Sequence, residues 1–176
     1  MTRIHEYRLG RQLTLQFLYS LEFNDLDWQF ALPEFWKMNP VALSCGYFGM
    51  NEQHELAEAN DKDPAFQRVR AFVEQRVTGI CEAKEELEKI LGELLDNWRP
   101  ERVGRVEWTI SKIALYELRC CSDCPEAIVF SEANRLAALF CDDNSARFIT
   151  GLLNRIVQQD EKPIEITAPS PEQGEL

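Results

Sequence analysis

Apolar side chains recur every three or four residues in segment after segment of this chain, and no segment alternates apolar with polar at a period of two. That spacing lays one buried stripe along each of several helices and leaves no strands to pair, so the sequence predicts an all-α fold. The first stripe, over residues 3–22, is Leu9, Leu13, Phe17 and Leu21. Arg8, Arg11, Leu15, Leu18 and Tyr19 share the other side, so this helix starts basic and ends apolar all round. Over 64–98 the stripe is Phe66, Val69, Val73, Val77, Ile80, Leu87, Leu91, Leu94 and Trp98, with Gly79 as the expected bend between two helices. A central helix over 101–119 carries Val103, Val106, Ile110, Ile113, Ala114 and Leu118. Another follows over 131–140, and Ile149, Leu152, Leu153 and Ile156 form the last seam. Residues 141–145 hold several side chains able to accept backbone N–H groups at that last helix's start.

A length of 176 residues fits one compact unit, taken here as 1–159. Within it, 24–65 is rich in aromatic residues and broken by Pro33, Pro40 and glycines, which predicts short helices and turns packed on the core. Beyond Asp160 the chain is acidic and contains Pro163, Pro169 and Pro171, so 160–176 is expected to be a flexible tail. Thirty acidic against 19 basic residues give a net charge of −11, which repels polyanions at long range. Any nucleic-acid contact must therefore be local. No apolar run is long enough for a membrane span and the amino terminus has no signal segment, so a cytoplasmic protein with free thiols is expected.

Six cysteines include the CxxC pair Cys121 and Cys124, with Cys120 beside it. A zinc site needs a second ligand pair, and His5 and His54 lie far away in sequence. A thioredoxin-like motif needs a strand before it and a helix after it, whereas a helical pattern precedes this one and Pro125 follows. Neither a metal nor another cofactor is expected. The sequence carries no glycine-rich phosphate loop, no HExxH, no GxSxG and no histidine-based triad, so the expectation is a binding protein and not an enzyme.

Five pieces, in this order and spacing, resemble the NusB family of transcription antitermination factors. They are Arg8-Leu-Gly-Arg-Gln-Leu-Thr-Leu-Gln-Phe-Leu-Tyr-Ser20; Asn97-Trp98 with Glu101-Arg102; Glu107 with Ile113-Ala-Leu-Tyr-Glu-Leu118; Ser131-Glu-Ala133; and Ser145-Ala-Arg-Phe-Ile-Thr-Gly-Leu-Leu-Asn154. The resemblance spans 3–23 and about 66–157, leaving 24–65 as a divergent insertion. It implies two small helical bundles packed across each other. It also implies binding of boxA-type single-stranded RNA jointly with NusE, a protein of the small ribosomal subunit, within the RNA polymerase antitermination complex of ribosomal RNA operons.

Carried over residue by residue, the resemblance places RNA contacts at Arg3, Arg8 and Arg11 near the start of the first helix. It adds Lys112 on the central helix and Asn144, Ser145, Arg147 and Phe148 at the start of the last. Glu101 and Glu107 fall where RNA and partner contacts meet. Tyr19 and Phe148 offer faces on which unpaired bases stack, each worth about 1–3 kcal/mol. Tyr7 and Leu9 stand where the family often has further basic residues, which predicts weaker RNA binding without the partner. The whole reading requires Arg8, Arg11, Arg147 and Phe148 to form one accessible patch. Its rival is a helical adaptor that binds only proteins. A methyltransferase reading is disfavoured because no cofactor domain follows residue 157.

Overall fold

A computed structural model describes residues 2–24, 26–41, 63–95 and 103–158. Among them are seven helices and no strand: α1 (Arg3–Leu21), α2 (Trp28–Lys37), α3 (Pro64–Glu82), α4 (Lys84–Leu94), α5 (Arg105–Cys120), α6 (Glu126–Phe140) and α7 (Asp143–Gln158). The fold is all-α, as the periodicity requires. α1 packs on α3 and α5, and α2 lies on α1. Helices α5, α6 and α7 pack on one another as a second set, with α4 against α5 and α7.

α1 is the core helix. It is buried without interruption from Leu9 to Leu15 and again at Phe17 and Leu18, so Arg11, Gln12 and Thr14 are carried inside with the leucines. α1 approaches α3 closely because residue 10 has no side chain. A Cβ on Gly10 would lie 2.4 Å from the Phe72 ring.

The bend expected at Gly79 falls instead at Ala83, whose φ of −91° and ψ of 11° end α3 and precede α4. Gly79 serves packing: a Cβ there would sit 1.9 Å from the Tyr116 hydroxyl oxygen. A larger residue would push α3 off α5. α5 begins at Arg105 after an extended Gly104, and the earlier start expected at 101 lies outside the described residues. α6 begins at Glu126, before the expected start at 131, because its first turn buries only Val129 and shows no stripe. At α7 the Asp142 carboxylate accepts the backbone N–H groups of Asn144 and Ser145, each at 3.0 Å. The Ser145 N–H is the main reason that carboxyl is held below its ordinary range. The predicted acceptor is thus Asp142.

Of the aromatic-rich stretch, α2 extends the core. Its Asp27 cap accepts the Gln29 N–H at 2.8 Å, Leu32 and Trp36 are buried, and Phe35 meets Phe17 edge-on at 5.3 Å between ring centres. Trp36 in turn meets Phe66 of α3 at 5.9 Å. Residues 42–62 and the expected tail 160–176 lie outside the described residues. Among those described, no helix is long and apolar enough to cross a membrane.

Candidate nucleic-acid interface

The amino-terminal arginines do not form one accessible patch. Arg3 is exposed, whereas Arg8, with a side chain 40% exposed, donates from Nε to Glu132 at 3.0 Å. Arg11 is buried: its Nε donates to Glu117 Oε2 at 2.9 Å and its Nη2 to Cys124 Sγ at 3.2 Å. Arg76, buried on α3, donates to the other Glu117 oxygen at 3.2 Å. One carboxylate therefore joins α1, α3 and α5 through two guanidiniums, which lie 5.4 and 4.7 Å from the Phe72 ring centre. Burial works against the Arg11 charge, but Glu117 outweighs it and holds that guanidinium more firmly protonated than usual. A cation so enclosed is a structural tie and is not presented to a phosphate.

Lys112 meets the same fate. It is buried, and its Nζ donates to Glu22 at 2.6 Å and Glu88 at 3.2 Å. Both cations are closed in for one physical reason. Helical spacing shows which side of a helix carries a cation, but not the carboxylate that another helix brings to it. Glu132 is a further example. Burial pushes its carboxyl up, yet hydrogen bonds from Arg135 and Arg8 prevail and hold it below the ordinary range.

The other end of α1 is built differently. Phe23, just beyond α1, meets Tyr19 edge-on at 4.9 Å, and the Arg105 guanidinium lies 4.5 Å from the Phe23 ring centre. Arg105 Nη1 also donates to the Glu22 carbonyl at 2.8 Å. On the opposite side of the α5 start, the Ser145 hydroxyl donates to the Glu107 carboxylate. Glu107, Asn144, Ser145 and Phe148 line one cavity of about 260 Å³, together with Val103, Gly104 and Asp142. Arg147 is exposed and, with Phe148, borders a smaller hollow of about 120 Å³ beside Leu95 and Arg155. Glu101 lies outside the described residues.

The α5 start thus stands between the end of α1 and the beginning of α7. It gathers Tyr19, Glu107, Asn144, Ser145 and Phe148 of the predicted residues and leaves Arg8 and Arg11 apart, lining a separate groove of about 380 Å³ beside Ile4, Tyr7 and Ile128. Sequence reasoning missed Phe23 and Arg105. The four-residue step from Tyr19 to Phe23 is a legible signal for the first; nothing local marks the second.

The cysteine cluster is a turn between α5 and α6, in which the Cys124 N–H donates to the Cys121 carbonyl at 3.1 Å. Burial pushes the Cys121 thiol up to about 12 and raises that of Cys124. Both stay protonated near neutral pH, unlike a reactive thiol. Among the described residues no group of three or more His, Cys, Asp or Glu side chains is placed to hold a metal ion.

Against known proteins, the model of the NusB family matches residues 8–158. The transcription antitermination protein NusB of Nitratidesulfovibrio vulgaris (strain DSM 19637 / Miyazaki F) is 30% identical over 154 residues, covering 88% of each chain. That of Exiguobacterium sp. (strain ATCC BAA-1283 / AT1b) is 39% identical over 89 residues, which are 51% of this chain and 70% of the relative. In fold, T. maritima NusB superposes with a TM-score of 0.63 at 24% identity, covering 86% of this chain and 90% of that one. A structure of the antitermination factors NusB and NusE in complex with dsRNA matches with a TM-score of 0.63 at 19% identity, covering 90% and 98%. The family model takes in α1 from Arg8 onward and the helices that frame the α5 start, the Nitratidesulfovibrio relative covers most of the chain, and on both grounds the chain belongs to the NusB family.

Proposed function

We propose that this protein is an RNA-binding transcription antitermination factor that holds boxA-type single-stranded RNA together with NusE, as part of the RNA polymerase antitermination complex in the cytoplasm. It binds and does not catalyse. The observation that carries the reading is the surface around the α5 start. There Phe148, Glu107, Asn144 and Ser145 share one cavity and Tyr19 stands across the helix end with Phe23. Unpaired bases need ring faces on which to stack and polar groups for their edges, and this surface offers both. NusB-family membership and the fold shared with a NusB–NusE–dsRNA complex support the same reading. Arg147 and Arg3, both exposed, are assigned to phosphates; Arg8 adds a weaker contact because Glu132 already holds it. Arg11 and Lys112 leave the RNA set. Glu107, with Glu101, is assigned to the junction with NusE.

The test is a titration with boxA-type RNA, with and without NusE, at two salt concentrations. Phe148→Ala should weaken binding by about 1–3 kcal/mol, the worth of one base stack. The adaptor reading draws on one observation, the closing of Arg8, Arg11 and Lys112 by carboxylates. RNA binding that stays absent even with NusE present would establish that rival.

A further inference from the structure

We propose that Arg105 and Phe23 form an additional nucleotide-binding element of the RNA surface, with Arg105 pairing with a phosphate and Phe23 taking the neighbouring base on its exposed ring. The inference rests on the RNA reading above and adds two residues to it. Phe23 is 57% exposed, although one side of its ring is covered by Arg105 and it stands in an edge-to-face contact with Tyr19. Arg105 is exposed and, among the described residues, makes no ion pair, in contrast to Arg8, Arg11 and Lys112. Among the described residues its one hydrogen bond, from Nη1 to the Glu22 carbonyl, fixes the guanidinium over the ring and leaves its other N–H groups without a described partner. A planar cation held in place over an aromatic ring loses little freedom on meeting a phosphate. Position completes the argument: Arg105 precedes Glu107 by less than a helical turn, so the element lies across the α5 start from the Glu107 and Phe148 cavity, at the same end of that helix. In this proposal a strand leaving that cavity reaches the element by crossing the α5 start.

A purely structural tether between α1 and α5 makes different predictions. Arg105→Gln keeps an N–H donor for the Glu22 carbonyl and removes the charge; Phe23→Leu keeps apolar bulk and removes the ring. Each variant is titrated with a short boxA-type RNA in the presence of NusE over a series of salt concentrations. Melting and NusE affinity without RNA are measured alongside. Arg105→Gln should weaken RNA binding about fivefold, the size of one exposed charge-assisted contact, and flatten the salt slope by about 0.7. Phe23→Leu should weaken it about fivefold with the slope unchanged. Melting and NusE affinity should match the wild type. If both variants keep wild-type affinity and slope while Phe148→Ala loses RNA, the element is only a tether and the RNA reading survives. The element is likewise only a tether if the loss vanishes once binding is corrected for the folded fraction. If the wild-type protein binds no RNA with NusE, both readings fall together.

Discussion

The two ends of α1 treat charge in opposite ways. Toward its amino terminus, Glu6 accepts from Arg68 Nε and Nη2, each at 2.7 Å, Arg8 is held by Glu132 and Arg11 by Glu117, so cations and anions cancel within the fold. At its carboxyl end the ring of Phe23, edge-on with Tyr19, meets an arginine that no described carboxylate neutralises. Arg8 and Tyr19 are separated by about 16 Å along the axis at about 1.5 Å per residue, too far to be one patch. Basic residues on a helix are therefore not evidence of a polyanion site until the carboxylates that face them are known.

The strongest way to break this comparison is Glu117→Gln. It leaves two buried guanidiniums facing a neutral amide and should cost about 3–5 kcal/mol of stability, read by chemical denaturation. A variant as stable as the wild type would free Arg11 for RNA after all. For the same reason a combined Arg8→Ala and Arg11→Ala substitution reads folding before it reads RNA. Phe148→Ala should lose about 1–3 kcal/mol of RNA binding beyond what the loss of its partly buried, core-packed ring takes from melting, once binding is corrected for the folded fraction. Arg8→Ala alone should cost less than about 1 kcal/mol in stability, because its ion pair is partly solvated, and should make the salt slope slightly shallower.

The smallest effect sharpens the picture through pH. The hydrogen bonds from Arg68 hold the Glu6 carboxyl below its ordinary range, and those from Arg135 and Arg8 do so for Glu132 against its burial. A lowered folded value means the stabilisation is complete above the unfolded glutamate value, about 4.3, and is lost as the pH falls through the lowered values. Melting temperature should thus drop on acidification below about pH 4. Glu6→Gln should flatten that fall if the amino-terminal pairs cause it.

What could be read from the chain follows from what is local. The stripe through Leu9, Leu13 and Phe17 marks α1 because burial on one face repeats with the helix. The same stripe conceals that Arg11 and Gln12 are also inside, since their cover comes from distant helices. Gly79 is misread as a bend because a glycine's use depends on its neighbour, here the Tyr116 hydroxyl. Glu107, Asn144, Ser145 and Phe148 are reached through family resemblance, and they do share one cavity. No periodicity could have grouped them. Arg105 escapes sequence reasoning because its orientation depends on the Glu22 carbonyl across the fold.

The carboxylate shared by Arg11 and Arg76 has a consequence for how the chain is made. Arg11 leaves the ribosome early, and its partner Glu117 lies 106 positions later. Until that late stretch emerges, α1 has no counter-ion to enter the interior with and must wait in water. The protein is thus expected to mature near the end of its own synthesis, and a nascent chain cut short before Glu117 should remain soft to proteases however many helices it already contains.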